Sequence, residues 1–117
     1  MPLDDDAAPA APAYEYEGPP ELREPIDRAL HGVVDPEMAL DIVDVGLVYR
    51  VRVEPQRVHV LMTMTSAACP AAGLILEEVE AALQRLLPER EPEVELTWEP
   101  AWTPVRLSPR ARRFMGW

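Results

Sequence analysis

The sequence predicts a small, two-layer α/β protein, with helices on one face of a three-stranded sheet in the order α-β-β-α-β-α. Apolar and polar side chains alternate along residues 47–53 and 58–64, a pattern typical of a β-hairpin. The apolar period then changes to that of a helix over residues 69–87. Residues 94–98 alternate again and supply the third strand, with Trp98 facing inward.

Two further helices flank this central unit. Ile26 and Leu30 recur at helical spacing in the first, and Pro25 is expected to keep its start near Glu24, because proline fits only the first turn of a helix. Ser108, followed by a proline, is a typical N-cap and predicts a short C-terminal helix.

The N-terminal segment is predicted to be a disordered tail. Residues 1–20 hold five prolines, five alanines and an acidic triplet, so they cannot bury enough apolar surface to offset the entropy of ordering. The remaining residues, 21–117, are predicted to form a single domain.

Composition excludes several classes of function. The net charge is −10, which disfavours nucleic acid as a partner, because phosphate binding needs clustered positive charge. No apolar run approaches the roughly 20 residues that a membrane helix needs. The N-terminus lacks the features of a secretory signal, and a single cysteine cannot form an internal disulfide. These observations favour the cytoplasm.

That cysteine, Cys69, stands between the predicted hairpin and the predicted central helix. Pro70 is a typical first helical residue, so Cys69 is expected at or next to the N-cap, where free N–H groups and the helix dipole stabilise a thiolate. The hydroxyls of Thr65 and Ser66 could donate to the same charge. The alternative is a small buried apolar residue, and position alone does not separate the two interpretations.

Other polar residues are weaker candidates. His59 is expected on the polar face of its strand, and His31 at the end of the first helix is suited to stabilising that end. We interpret Asp41 and Asp44 as turn residues or as part of a solvated face, in preference to metal ligands. Trp102 is expected on an exposed interaction surface.

Three stretches together resemble a known family. They are "VVDPEMALDIVDVGLVYRV", "VLMTMTSAACP" and "LTWEPAWTPVRLSPRARRFMGW". They are similar to the iron–sulfur cluster assembly domain of bacterial SufT-type maturation factors, the phenylacetate-pathway protein PaaD and eukaryotic cytosolic iron–sulfur targeting proteins. The resemblance covers residues 24–117, with Val45 in place of a typical leucine. PaaD-type members carry a further cysteine-rich segment, so the compact SufT-like branch fits better.

The resemblance implies an accessory, non-enzymatic role in cluster assembly, with apo iron–sulfur proteins and scaffold proteins as partners. It implies that Cys69 ligates a cluster or metal, and that Asp35, Glu37, Thr65 and Ser66 line the same pocket. A cluster typically takes about four protein thiolates, and one chain offers one. A transient cluster shared by two chains in a homodimer would meet this requirement.

Two other functions stay open at this point. A metal-free adaptor would dock a client protein or an oxygenase without touching metal. A thiol enzyme would use Cys69 as nucleophile, with His31 or His59 as its base.

Overall fold

The computed structural model describes residues 14–66 and 70–116, and the whole of the predicted core lies within these ranges. In chain order the described elements are β1 (Glu15–Glu17), α1 (Pro20–His31), β2 (Val34–Asp35), β3 (Leu40–Asp41), α2 (Ile42–Val45), β4 (Val48–Val53), β5 (Arg57–Met62), α3 (Ala72–Leu86), β6 (Glu91–Leu96), a 3₁₀ turn (Pro104–Arg106) and α4 (Pro109–Met115).

The main sheet has four strands in the order β1-β4-β5-β6. β4 and β5 form the predicted antiparallel hairpin, β6 runs parallel to β5, and β1 runs parallel to β4. The α/β class is therefore confirmed, but the predicted three strands and their order are wrong. β1 was missed because three residues are too short for an alternating pattern to be recognised.

β1 also shortens the predicted tail. Glu15 and Glu17 pair with Arg50 and Arg52 across the sheet, and α1 begins at Pro20. Residues 14–20 therefore belong to the folded part of the chain, and residues 1–13 of the predicted tail lie outside the described residues. α1 contains Pro25 in its interior, so the expected start near Glu24 is wrong.

The helices cover one face of the sheet, as predicted. α1 and α3 contact one another, and α3 contacts β6. Ile26 and Leu30 of α1 are buried against the same core as Val79 and Leu83 of α3. The other face of the sheet, the open face, carries mainly charged side chains, such as Arg50, Arg52 and His59. None of the described helices is long and apolar enough to cross a bilayer.

A β-bulge changes the predicted faces of the hairpin. The register shifts between Val48 and Arg50, so the strict alternation is broken at Tyr49. Val48 and Val51 are both buried, whereas Tyr49, predicted to share the inner face, is only half-buried.

The two tryptophans near the third strand exchange their predicted environments. β6 ends before Trp98, which is 42% exposed although it was expected to face inward. Trp102, expected on an exposed surface, is half-buried, and its Nε1 donates a hydrogen bond of 2.8 Å to the carbonyl of Val45. The predicted C-terminal helix is confirmed, since the Ser108 side chain accepts from the backbone N–H of Ala111.

Candidate functional site

The end of β5 and the β2–β3 ribbon lie at the same end of the main sheet. Three backbone hydrogen bonds connect them: Thr63 N–H donates to Leu47, Leu47 N–H to Ile42, and Ile42 N–H to Val33, at 2.8, 2.9 and 2.9 Å. β2 follows Val33 directly and ends at Asp35. The fold thus brings the predicted site residue Asp35 towards the segment that follows β5.

Asp35 is buried and incompletely bonded. It is 1% exposed, and its Oδ1 accepts a hydrogen bond of 2.9 Å from the backbone N–H of Glu37. Its carbonyl accepts from the N–H groups of Met38 and Ala39, which closes the predicted turn. Its Oδ2 is buried, and no described residue forms a hydrogen bond with it. A buried carboxylate oxygen without a donor is costly, so this atom is a candidate ligand contact.

Thr63 has the same property at the end of β5. It is 0% exposed, and its Oγ1 is buried without a hydrogen-bond partner within residues 14–66 and 70–116. The predicted alternation placed Thr63 on the polar face, but the strand ends at Met62, and Met62, Thr63 and Met64 are all buried. Among the sequence observations, only the resemblance pointed to Thr63, because the quoted stretch "VLMTMTSAACP" contains it.

The other predicted site residues are distributed around this end of the sheet. Thr65 is half-buried and Ser66 is exposed, while Glu37 is exposed at the tip of the ribbon turn. Cys69 lies outside the described residues. α3 begins at Ala72 with Ala71 at its N-cap position, so the predicted helix start at Cys69–Pro70 is two residues too early.

A separate polar cluster lies beside α2. Potential ligand atoms of His31, Asp41 and Asp44 lie within 4.8 Å of one another. Asp41 Oδ1 accepts from the backbone N–H groups of Val43 and Asp44, at 3.0 and 2.9 Å, and so caps α2. Arg110 donates to both carboxylates. Both aspartates are buried, so the predicted solvated face is wrong.

The charges of this cluster shift two pKa values. Hydrogen bonds to the Asp27 and Asp41 carboxylates raise the pKa of His31 to about 10. Burial acts to raise the pKa of Asp41, but hydrogen bonds from His31 and Asp44 outweigh it and lower that pKa to about 2. His31 is therefore a cation and Asp41 an anion at neutral pH. The charges of this cluster are paired, and its carboxylates already accept hydrogen bonds. The cluster is therefore better explained as stabilising the fold than as an open metal site.

Residues 46–49, the Gly-Leu-Val-Tyr motif within the first stretch that resembles the family, also stabilise the fold. Gly46 has φ of +86° and lies directly against the backbone of Arg106. The Nε of Arg106 donates to the Gly46 carbonyl at 2.7 Å, and its guanidinium stacks 4.3 Å from the centroid of the Tyr49 ring. The Tyr49 hydroxyl donates to the Pro100 carbonyl at 2.6 Å. These contacts hold the C-terminal segment against the sheet.

Comparisons with known proteins agree with the resemblance. The profile described as "Iron-sulfur cluster assembly protein" matches residues 23–96. The chain is 43% identical over 96 residues to the Fe-S protein maturation auxiliary factor YitW of Bacillus subtilis, covering 81% of this chain and 94% of that protein. It is 38% identical over 85 residues to the Fe-S protein maturation auxiliary factor SufT of Staphylococcus aureus, covering 72% and 97%.

Solved structures show the same fold. A domain of unknown function from Bacillus anthracis superposes with a TM-score of 0.77 at 38% identity, covering 82% of this chain and 92% of that one. A conserved hypothetical protein from Thermotoga maritima superposes with a TM-score of 0.70 at 42% identity, covering 86% and 97%. The matched profile and these relatives show that the chain belongs to the family of iron–sulfur cluster assembly proteins.

Proposed function

We propose that this chain is an accessory factor of iron–sulfur cluster assembly that holds a cluster transiently, through Cys69, and helps pass it to apo-proteins. The accessory role follows from the family and from relatives named as maturation auxiliary factors. Those names are consistent with a role other than catalysis. We place the protein in the cytoplasm, with apo-proteins and cluster scaffold proteins as its partners.

The observation that carries this proposal is a pair of unsatisfied polar atoms at one end of the sheet. Asp35 Oδ2 and Thr63 Oγ1 are buried and lack hydrogen-bond partners among the described residues. Thr63 also begins the segment that leads to Cys69. A site that lacks bonds in its free state can form them with a bound cargo, because each buried polar atom gains a partner.

The chemistry of these groups suits a supporting role around a thiolate ligand. The Thr63 hydroxyl can donate a hydrogen bond to a cluster sulfide or to the Cys69 thiolate. The Asp35 carboxylate can ligate iron or accept a proton from an incoming thiol. Such contacts tune metal–thiolate binding without completing the ligand set.

The ligand count favours a labile, shared cargo. A cluster typically takes about four protein ligands, and this chain contributes one thiol. Two chains related by a two-fold axis, or one chain and a partner's cysteines, would supply the rest. Incomplete ligation by each protein suits transfer better than storage.

The surface around the site is suited to docking a partner. Leu74, in the first turn of α3, is 54% exposed, and Trp98, just after β6, is 42% exposed. The residue before Trp98, Thr97, donates its N–H to Met62, beside Thr63. Exposed apolar side chains at this position would contact a client or scaffold protein during transfer.

Anaerobic reconstitution with iron and sulfide, followed by absorption spectroscopy and sizing, tests the proposal. Wild type is expected to show charge-transfer bands and a dimer, and Cys69→Ala to lose both. Thr63→Val, which removes only the unsatisfied hydroxyl, is expected to keep the fold and weaken cluster retention. Ser108→Ala, which alters a helix cap and leaves the site's donors unchanged, is the matched control. A colourless wild-type monomer would overturn the carrier function.

That last outcome would favour the metal-free adaptor, which shares the docking surface and needs no cluster. A thiol enzyme is the weaker alternative. His31 carries a charge at neutral pH, because its pKa is raised to about 10 by the Asp27 and Asp41 carboxylates, so it cannot act as the base for a cysteine nucleophile.

A further inference from the structure

The open face of the sheet contains an arginine without a carboxylate partner. Three neighbouring basic side chains on this face contact carboxylates: Arg52 contacts Glu17 at 3.2 Å, Arg57 contacts Glu93 at 3.3 Å and His59 contacts Glu95 at 3.0 Å. Within residues 14–66 and 70–116, Arg50 forms no ion pair, and its Nε is buried without a hydrogen-bond partner. An unsatisfied N–H on a charged group is more costly than one on a neutral group.

A second unsatisfied nitrogen lies on the adjacent strand of the same face. His59 Nε2 contacts Glu95, and its Nδ1 is buried without a partner in the described part of the chain. His59 pairs in register with Arg52, so Arg50 is its diagonal neighbour on β4. Diagonal neighbours in a sheet are about 7–8 Å apart, which one small ligand can bridge.

A cavity of about 300 Å³ lies over these residues. Arg50, Arg52 and His59 form part of its wall, and Glu54, Glu93 and Glu95 form the remainder together with Arg57. The three glutamates already have cationic partners in Arg57 and His59. The volume is at the lower end of the range for ligand sites and suits a small molecule or a single side chain.

We infer that Arg50 and His59 form a carboxylate-binding site on the open face of the sheet, separate from the cluster site. A carboxylate has two coplanar oxygens, which match the planar donor fork of arginine. His59 Nε2 contacts Glu95, and its Nδ1 offers a second ring nitrogen to the same ligand. The acidic walls favour a single carboxylate over a more highly charged anion.

Two sources could supply this carboxylate. One is a free small acid or an acidic side chain of another protein. The other is the chain's own triplet, Asp4, Asp5 and Asp6, which precedes β1 by about ten residues. Because a tethered group acts at a high effective concentration, the second source would compete with added ligand.

Titration of the full chain with sodium acetate, a monocarboxylate, at constant ionic strength, followed by ¹H–¹⁵N NMR, tests this inference. Amide signals of β4 and β5 around Arg50 and His59 are expected to shift and to saturate. Arg50→Gln should weaken binding about tenfold or more, because a charged hydrogen bond is lost. Arg50→Lys keeps the charge but lacks Nε, and should also weaken binding. Dispersed spectra would show that both variants fold.

Arg85→Gln is the charge-matched control, since Arg85 is exposed on α3 in the helical layer. Its affinity should equal that of wild type. Non-saturating shifts, wild-type affinity in Arg50→Gln, or equal losses in Arg50→Gln and Arg85→Gln would each overturn the inference. Replacing Asp4, Asp5 and Asp6 by asparagine distinguishes the sources: tighter acetate binding identifies the chain's own triplet, and unchanged binding identifies an external carboxylate.

Discussion

Gly46→Ala should be among the most destabilising single changes in this protein. Gly46 ends α2 with φ of +86°, a conformation that costs a residue with a Cβ about 1–2 kcal/mol. An added Cβ would also lie 2.7 Å from Arg106 Cβ and 2.9 Å from its carbonyl carbon, and closer still to its carbonyl oxygen. The backbone of Arg106 would have to move away.

That movement would disturb the contacts that hold the C-terminal segment. Arg106 donates to the carbonyls of Gly46 and Val48, at 2.7 and 3.1 Å, and stacks on Tyr49. A hydrogen bond from a charged donor contributes roughly 1.5–3 kcal/mol. Partial loss of these bonds, added to the backbone strain, predicts a decrease of about 3–5 kcal/mol in the free energy of unfolding. Domains of this size have about 5–15 kcal/mol in total.

Urea unfolding at equilibrium, followed by far-UV circular dichroism, would measure the loss. Two other glycines separate its causes. Gly116 has φ of +79° with nothing within 4 Å of an added Cβ, so Gly116→Ala tests strain without collision. Gly73 lies inside α3 with nothing within 4 Å, so Gly73→Ala should stabilise by up to about 1 kcal/mol. A Gly46→Ala loss below about 1 kcal/mol, or one no larger than that of Gly116→Ala, would refute the reasoning.

Three other changes test single side chains. His31→Gln should lower stability by about 1–2 kcal/mol near pH 6, because His31 is about one-third exposed and its ion pairs are partly screened. The pKa of His31 is raised to about 10, so its contribution to stability is complete below pH 6.5 and is lost as the pH rises towards 10. Urea unfolding of wild type and His31→Gln across that pH interval measures the difference. A difference in stability that stays constant with pH would contradict the assignment of a charged His31. Tyr49→Phe removes the hydroxyl that donates to Pro100 and should cost about 1 kcal/mol in thermal unfolding; an unchanged Tm would contradict the contact. Thr63→Val should leave Tm unchanged or raise it, because the lost hydroxyl has no partner among the described residues, and a clear decrease would show that this hydroxyl is bonded within the fold.

The central hairpin and α3 could be predicted because their apolar periods are long and regular. Six-residue strands and a 15-residue helix contain enough repeats to distinguish a period of 2 from one of 3.6. β1 and the β2–β3 ribbon have three and two residues per strand, so no period exists to be detected. β1 forms through contacts distant in sequence, such as the pairing of Glu15 with Arg50.

At Pro25, packing of the helix against the core outweighs the preference of proline for the first turn of a helix. A proline inside a helix removes one backbone hydrogen bond, and the sequence therefore favoured a start near Glu24. The helix begins at Pro20, and the bond from Leu22 N–H to the Pro19 carbonyl closes its first turn. Ile26 and Leu30, fully buried, hold the rest of the helix against the core.

The site was only partly predictable for a related reason. Motif resemblance led to Asp35, and the structure adds that one of its oxygens lacks a partner. Thr63 could not be selected from alternation, because the strand ends one residue earlier and burial then becomes continuous. Conversely, Asp41 and Asp44 were interpreted as turn residues or a solvated face, but they bury their charges against His31 and Arg110.

Hydrogen bonding of the buried polar groups distinguishes those that stabilise this fold from those that we propose bind a ligand. In the cluster beside α2, the carboxylates meet cations and N–H donors, so their burial contributes to stability. At Asp35, Thr63, Arg50 and His59, one buried polar atom of each residue has no hydrogen-bond partner among the described residues. Asp35 ends β2 and Thr63 follows β5, whereas Arg50 and His59 lie on the open face. Natural folds keep such atoms rarely, because each costs free energy. A ligand at each pair would recover that cost, which is why we assign cluster handling to the first and carboxylate binding to the second.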